Sequence, residues 1–193
     1  MMKITCIVGS ARTNGSTAYL INTFIKGVQE NNKDVDIAKY NISEMNINYC
    51  LGCKKCYNNG VCVQNDDTIN IVSDVTSSDI VVIASPSYWG DVPGQLKTYF
   101  DRNTPYGNTN KNRILTSKKG AKGIAIAVRA GKTEKENSVI LDYIEHYFGH
   151  LDIEPIIRIS LCETNNLIDL KEKHQSEIKY IYNIGKNITS YIK

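Results

Sequence analysis

Short apolar runs alternate with segments of helical periodicity along the chain, and this alternation limits the fold more than any other feature. The apolar runs predict five strands, at residues 3–8, 35–40, 80–85, 123–128 and 153–159. The other periodic segments predict helices at residues 17–30, 67–75, 93–102, 134–148 and 167–192. Short apolar strands separated by such helices require a parallel sheet that is covered on both faces. The sequence therefore predicts an α/β chain with a doubly wound sheet.

Five strands of this kind predict a flavodoxin-like doubly wound parallel sheet with strand order 2-1-3-4-5 and helices on both faces. The chain has 193 residues, which is enough for one core. We expect a single domain over residues 1–193 with a Cys-rich loop insertion at about residues 42–66. In such a sheet the strand-to-helix loops emerge at the carboxyl edge, and ligands bind at the switch point there. We therefore expect the loops after the first and third strands to meet at a ligand site.

The loop at residues 9–17, with the sequence GSARTNGST, follows the first strand and leads into the first helix. Its amides and hydroxyls, together with the helix N-terminus, are suited to an anion, and Arg12 adds a full charge. The loop lacks the lysine of the nucleoside-triphosphate P-loop, which favours a single terminal phosphate. A Ser/Thr-rich turn that caps the helix is the alternative interpretation of these residues.

Cys6, Arg12 and Thr13 also match the cysteine phosphatase pattern C-x5-R-[ST]. If Cys6 opened such a phosphate-binding loop, the first strand would end at Thr5 and would be shorter than an ordinary strand. The sequence also has no Asp-Pro pair to supply a general acid. We therefore expect Cys6 to be a buried strand residue.

The loop at residues 85–90, with the sequence SPSYWG, follows the third strand and carries the only Trp of the chain. Its rings, its Pro and its Gly suit a flat aromatic ligand that the backbone approaches closely. Alternatively, Tyr88 and Trp89 cap the core or cover an oligomer interface. The segment RAG at residues 129–131 follows the fourth strand and is expected at the same edge. One terminal phosphate and one flat ring system at a shared edge predict FMN.

Four cysteines lie in the long segment after the second strand, with the spacing C-x2-C-x2-C-x5-C. They are Cys50, Cys53, Cys56 and Cys62. This spacing is close to the tight pattern by which one loop binds a [4Fe-4S] cluster. A zinc site and a metal-free loop are the alternatives. Zinc is less favoured, because four-cysteine zinc sites usually place a longer linker between two Cys pairs. We expect Asp66 and Asp67 to cap the next helix, and Cys162 to be structural.

Composition argues against two classes of partner. The formal net charge is +3 and the lysines are interleaved with acidic residues, so the chain lacks the basic stripe of a nucleic-acid binder. No run approaches about 18 apolar residues, and the apolar N-terminal stretch is too short for a signal peptide. We therefore expect a cytoplasmic protein without nucleic-acid or membrane partners. In a reducing compartment, six cysteines indicate metal or redox use.

Three segments carry a resemblance to a known family: GSARTNGST at residues 9–17, CLGCKKCYNNGVCVQNDD at 50–67 and SPSYWGDVPGQLKTYFDR at 85–102. With the loop after the fourth strand, they make the chain similar to the iron-sulfur flavoprotein branch of the NADPH-dependent FMN reductase, or flavodoxin-like, superfamily. The resemblance covers most of the chain. It implies that a set of four side chains holds the FMN phosphate, namely Ser10, Arg12, Ser16 and Thr17. It also implies that residues 86–90 line the isoalloxazine.

The resemblance and the loop positions together give a full set of candidate cofactor-binding residues. These are Ser10, Arg12, Asn14, Ser16, Thr17, Pro86, Ser87, Tyr88, Trp89, Gly90, Arg129, Ala130 and Gly131. The candidate cluster ligands are the four closely spaced cysteines, and no side chain is predicted to act as a general acid or base. The resemblance further implies a homodimer or homotetramer, because relatives complete the flavin site with partner chains.

FMN exchanges one or two electrons, whereas an iron-sulfur cluster exchanges one electron at a time. The sequence therefore predicts an FMN-dependent oxidoreductase that passes electrons between a two-electron donor or acceptor and a one-electron carrier. The expected partners are a small molecule or a ferredoxin-like protein, with NAD(P)H as a candidate donor. A cluster-free NAD(P)H-dependent FMN or quinone reductase is the alternative enzyme, and an electron carrier without turnover is the non-enzymatic alternative.

Overall fold

A computed structural model of the chain describes residues 1–192 and contains one five-stranded sheet. Its strands are β1 (Met2–Val8), β2 (Val35–Asn41), β3 (Ile80–Pro86), β4 (Lys122–Val128) and β5 (Glu154–Leu161). All neighbouring strands pair in parallel, in the order β2-β1-β3-β4-β5. The predicted flavodoxin-like sheet is therefore confirmed, and its switch point lies between β1 and β3.

Helices connect these strands and cover both faces of the sheet. They are α1 (Ser16–Asn31), α2 (Cys56–Asn59), α3 (Thr68–Ser77), α4 (Gly94–Arg102), α5 (Glu134–His150), α6 (Leu167–Lys173) and α7 (Gln175–Lys186). Short 3-10 turns lie at Ile42–Glu44, Thr104–Tyr106 and Ile188–Tyr191. No helix in residues 1–192 combines the length and the apolar character that a membrane crossing needs.

The sheet separates two hydrophobic cores because successive strand residues point to opposite faces. In β1, Ile7 packs with α3, α4 and α5, whereas Cys6 and Val8 pack with α1, α6 and α7. On the latter face α1 and α7 approach closely at Gly27. A Cβ added there would lie 2.1 Å from the Tyr182 carbonyl oxygen, so only glycine fits. Both faces of the central strands are thus buried, as their continuous apolar sequences predict.

The C-terminal region differs from its prediction. The single helix predicted over residues 167–192 is wrong, since α6 ends at Lys173 and α7 begins at Gln175. Between them, His174 has φ −123° and ψ 37°, and its ring Nε2 lies 2.7 Å from the carbonyl oxygen of Cys162. This contact holds the break between α6 and α7 against the end of β5. Local sequence periodicity cannot reveal it, because the two residues are distant in sequence.

Candidate functional site

The loop between β1 and α1 leaves the first amides of α1 open. Gly15 is the N-cap residue, and no side chain of the described chain accepts a hydrogen bond from the first turn of α1. The Ser10 Oγ instead accepts from the Arg12 amide at 3.0 Å, which holds the turn in shape. The alternative in which a hydroxyl of this loop caps the helix is therefore not what the structure contains. An anion could receive the open amides, since a helix N-terminus favours negative charge.

A pocket opens next to these amides, at the carboxyl ends of β1, β3, β4 and β5. Its walls are Ser10, Arg12, Gly15, Ser16, Thr17, Pro86, Ser87, Tyr88, Val128, Arg129, Ala130, Thr164 and Asn165. The loops after the first, third and fourth strands thus converge as the strand order predicts. The pocket lies at the switch point, where doubly wound sheets bind their ligands.

Four of the candidate residues do not reach the pocket wall, namely Asn14, Trp89, Gly90 and Gly131. Trp89 is fully exposed, at 104%. It lies with φ +56° at the tip of a turn that the backbones of Tyr88 and Asp91 close. Gly131 acts indirectly, because a Cβ there would lie 2.2 Å from the Arg129 Nη2. The absence of that Cβ lets the guanidinium fold back beside the pocket.

The loop after β5 contributes Thr164 and Asn165, which the sequence interpretation missed. The Thr164 amide donates to the Arg129 carbonyl at 2.9 Å, and the Glu163 amide donates to the Gly131 carbonyl at 3.0 Å. These bonds join the loop to the one after β4. One signal was available: in a parallel sheet the loop after the fifth strand also emerges at the carboxyl edge.

A carboxylate joins the two loops on either side of the pocket. The Ser87 Oγ donates to the Glu136 Oε2 at 3.0 Å, and the Arg129 Nη2 contacts the Glu136 Oε1 at 3.1 Å. The Arg129 Nη1 also donates to the Thr133 carbonyl at 2.7 Å. The Arg129 Nε is buried without a hydrogen-bond partner. This wall of the pocket therefore holds an unpaired donor that suits a polar atom of a ligand.

Cys6 is fully buried in β1. Burial raises the pKa of its thiol to about 12, against a weak opposing effect of Lys39. A phosphatase nucleophile must be an accessible thiolate. The predicted structural role of Cys6 is therefore consistent with the fold, and the phosphatase alternative is not.

The four closely spaced cysteines line one cavity beside the end of α4. The cavity walls include Cys50, Leu51, Cys53, Lys54, Cys56, Cys62, Val63, Gln64, Asp101, Arg102, Thr104 and Pro105. Burial, and after it the charges of the other three cysteines, raise the pKa of the Cys56 thiol. Gly52 and Gly60 have φ +61° and +74°, which lets the segment fold back around the cavity. One loop thus contributes four cysteines to the wall of one cavity.

Buried polar contacts anchor this loop. The Arg102 Nη1 lies 2.5 Å from the Asp66 Oδ2, and both side chains are 1% exposed. The Arg102 Nη1 also donates to the Asn48 carbonyl at 2.7 Å. The expected capping role holds only for Asp66, whose Oδ1 accepts from the Thr68 amide at 3.2 Å. Asp67 occupies the N-cap position of α3, but its side chain accepts from the Asn46 amide at 2.7 Å and makes no capping hydrogen bond.

The cysteine cavity offers four thiols as its candidate metal ligands. Within residues 1–192, no group of three or more His, Cys, Asp or Glu side chains is placed to hold an ion. A [4Fe-4S] cluster and a four-cysteine zinc site both take four thiolates, so the number of cysteines on this wall fits either group. The spacing C-x2-C-x2-C-x5-C favours the cluster.

A larger cavity, of about 290 Å³, lies elsewhere, between α4 and α5. Aromatic side chains form much of its wall, including Phe100, Tyr143 and Tyr147. None of the loops that follow β1, β3 or β4 contributes to it. Size alone therefore does not identify the cofactor site, and the pocket at the switch point remains the candidate.

The sheet and its switch-point pocket define a protein of the flavodoxin-like class. Residues 2–151 match the family described as NADPH-dependent FMN reductase, and the chain belongs to that family. This is a family of FMN-dependent oxidoreductases, and within it the chain belongs to the iron-sulfur flavoprotein branch.

Three relatives support the assignment to this branch. An iron-sulfur flavoprotein of Archaeoglobus fulgidus is 37% identical over 155 residues, which cover 80% of this chain and 66% of that protein. One of Clostridioides difficile is 38% identical over 102 residues, covering 52% of this chain and 45% of the relative. One of Methanosarcina thermophila is 32% identical over 148 residues, covering 77% and 75%. The chain therefore spans less than two thirds of the length of the first two relatives.

Solved structures agree on the fold. A flavone reductase aligns with a TM-score of 0.72 at 13% identity, over 99% of this chain and 63% of that one. An FMN-dependent NADH-azoreductase of Bacillus anthracis aligns with a TM-score of 0.70 at 17% identity, over 96% and 99%. At these identities the alignments establish the architecture alone.

Proposed function

We propose that this chain is an FMN-dependent redox protein that also binds a [4Fe-4S] cluster through its cysteine loop. It passes electrons between a two-electron donor or acceptor and a one-electron carrier. The observation that carries the proposal is the presence, in one chain of a flavoprotein family, of both a switch-point pocket and a cavity lined by four thiols. FMN and the cluster supply the redox chemistry when bound, and the chain positions both.

The pocket residues suit the two ends of FMN. The open amides of α1, with Ser10, Arg12, Ser16 and Thr17, would hold the phosphate. The ring system would lie along the loops after β3 and β4, where Tyr88 supplies an aromatic wall and the Arg129 Nε an unpaired donor. The loop after β5 closes the site with Thr164 and Asn165.

The four thiols that share the cavity, Cys50, Cys53, Cys56 and Cys62, would hold the cluster. All six cysteines are free, which fits a reducing compartment and supports a cytoplasmic location. The electron donor we favour is NAD(P)H, and the partner is a small molecule or a ferredoxin-like protein.

Exposed apolar side chains near both sites support a homodimer or homotetramer. Trp89 beside the pocket is 104% exposed, and Tyr49 and Leu51 on the cysteine loop are 79% and 68% exposed. Large apolar side chains exposed beside functional sites are candidates for an interaction surface. We infer that a second copy of the chain covers them.

Anaerobic purification followed by flavin, iron and sulfide analysis tests the proposal. We expect FMN rather than FAD, about four irons and four sulfides per chain, and broad absorbance beyond the flavin bands. Protein that holds flavin but takes up no iron or sulfide after reconstitution would contradict the cluster. Steady NAD(P)H oxidation by such yellow protein would establish the cluster-free reductase instead.

A further inference from the structure

We propose that Arg102 is a positioning residue whose buried charge raises the reduction potential of the cluster in the cysteine cavity. This inference rests on the proposed function, because it concerns a group that the four cysteines would bind. Arg102 belongs to none of the candidate sites that the sequence predicts. The structure places it on the wall of the cysteine cavity, at the last position of α4.

The contacts of Arg102 are unusual for a residue at a helix end. The whole residue is only 2% exposed. Its Nη2 lies 3.6 Å from the Cys62 Sγ and 3.2 Å from the Asp66 Oδ1. One nitrogen of the guanidinium is therefore within donor distance of both a candidate cluster ligand and a carboxylate. Its Nε is buried without a partner.

Burying a guanidinium is unfavourable unless neighbouring negative groups compensate it. Asp66 supplies one negative charge and is itself 1% exposed in its side chain. When the cysteines are deprotonated to bind metal, the Cys62 thiolate supplies another beside the same guanidinium. The arrangement thus pairs one buried cation with two anionic groups, and one of these would be bonded to iron.

Reduction of a cluster adds one negative charge to it. A nearby cation stabilises that added charge, and a hydrogen bond to a ligand sulfur acts in the same direction. A nearby carboxylate acts in the opposite direction. Arg102 should therefore raise the potential, whereas Asp66, which binds the same guanidinium, should lower it. Since the Arg102 and Asp66 side chains are both buried, solvent screens their charges weakly.

Two substitutions with opposite expected signs test this electrostatic role. Arg102→Gln removes the cation and should shift the cluster potential to more negative values. Asp66→Asn removes the opposing carboxylate and should shift it to more positive values. Arg102→Lys keeps a charge and should lie between the wild type and Arg102→Gln. If Arg102 and Asp66 only brace the loop, both substitutions should shift the potential in the same direction or not at all.

The measurement uses anaerobic protein with its cofactors, assayed first for iron and sulfide. Dithionite with redox mediators is the reductant, and the cluster signal is followed by electron paramagnetic resonance. The FMN potential, read from absorbance in the same titration, is the internal control and should not follow the opposite-sign pattern. Arg158→Gln, a change in an exposed ion pair with Asp142, is the matched control on the protein surface.

The outcomes separate this inference from the proposed function. Wild-type protein without iron overturns both. Wild-type protein with about four irons, but with unchanged or same-direction potentials in the two variants, overturns the role of Arg102 alone. If Arg102→Gln loses its iron, the test rests on Asp66→Asn. A cluster potential in Asp66→Asn that is not more positive than in the wild type then overturns the role of Arg102.

Discussion

The switch-point pocket and the cysteine loop differ in what holds them in place. Backbone bonds that continue the sheet connect the pocket loops: the Gly9 amide donates to the Ala84 carbonyl, and the Ser87 amide donates to the Val128 carbonyl, both at 2.8 Å. The Thr164 amide extends the same pattern toward β5. The pocket is therefore a property of the sheet and should exist without its ligand.

The cysteine loop is held mainly by polar side chains from other segments. Asn110 donates to the Cys56 carbonyl at 3.1 Å, Asn112 donates to the Tyr57 carbonyl at 2.6 Å, and Arg102 binds Asp66. Several of its apolar side chains face solvent, including Tyr49 and Val63. A segment with so little buried apolar surface gains much of its order from anchors and from bound metal. The pocket should therefore keep FMN when the loop loses its metal, and the loop should keep its metal when the pocket loses FMN.

The largest expected effect comes from Cys53→Ala. Removal of one candidate ligand should abolish the cluster, while FMN remains bound because the sheet edge does not depend on the loop. Limited proteolysis should then increase between residues 45 and 66. Iron, sulfide and flavin assays on anaerobic protein measure both parts.

Cys162→Ala is the control for Cys53→Ala. Cys162 lies outside the cavity, beside Glu134, and its loss should leave the iron content unchanged. Full iron content in Cys53→Ala would remove Cys53 from the cluster ligands. Loss of FMN together with iron would show that the two sites are not independent.

The next effect concerns the anchor of the loop. In cluster-free protein, Asp66→Ala removes the carboxylate partner of the buried Arg102 charge, which should lower the free energy of unfolding by about 3–5 kcal/mol. Denaturant unfolding measures it. Asp142→Ala breaks an exposed pair with Arg158 and should cost about 1 kcal/mol or less. Equal effects of the two substitutions would remove Asp66 and Arg102 as the anchor.

Arg12→Ala tests the pocket side. Loss of one charged hydrogen bond to the phosphate should weaken FMN binding by about 1.5–3 kcal/mol. Flavin fluorescence during titration of the apoprotein measures the affinity, and the iron content should not change. Arg158→Ala, far from the pocket walls, is the control. An unchanged affinity would place the phosphate elsewhere, and tighter binding of FAD than of FMN would contradict a site for a terminal phosphate.

Sequence periodicity was enough to predict the sheet, because each strand is a local apolar run whose period is visible in a few residues. The loops at the carboxyl edge followed from the order of the strands. Trp89 was assigned to the pocket on its chemistry, yet its left-handed backbone turns it outward. Thr164 was missed because the loop after the fifth strand was not assigned to the site, although it follows a strand of the same parallel sheet.

Contacts distant in sequence account for what could not be predicted. An arginine at a helix end is ordinarily exposed, and nothing local shows that Arg102 meets Asp66 and Cys62 across the fold. The contact of His174 with the Cys162 carbonyl, which accompanies the break between α6 and α7, is of the same kind. Glu136 belongs to this group as well, since it lies in α5 but binds a loop after β3.

The smallest predicted effect concerns Glu136, which joins the loops on both sides of the pocket. Glu136→Ala removes the acceptor of the Ser87 Oγ and the partner of the Arg129 Nη2, so both loops lose a fixed position. We expect FMN binding to weaken by about 1 kcal/mol, the net contribution of one ordinary hydrogen bond.

Ser87→Ala removes only one of the two contacts and should have a smaller effect than Glu136→Ala. Its measurement in the same titration separates the role of the carboxylate from that of the hydroxyl. Because Glu136 lies outside the cysteine cavity, neither substitution should change the iron content. If Glu136→Ala bound FMN as tightly as the wild type, the backbone bonds alone would suffice to shape the pocket. The contrast with the side-chain-anchored cysteine loop would then be sharper than we propose.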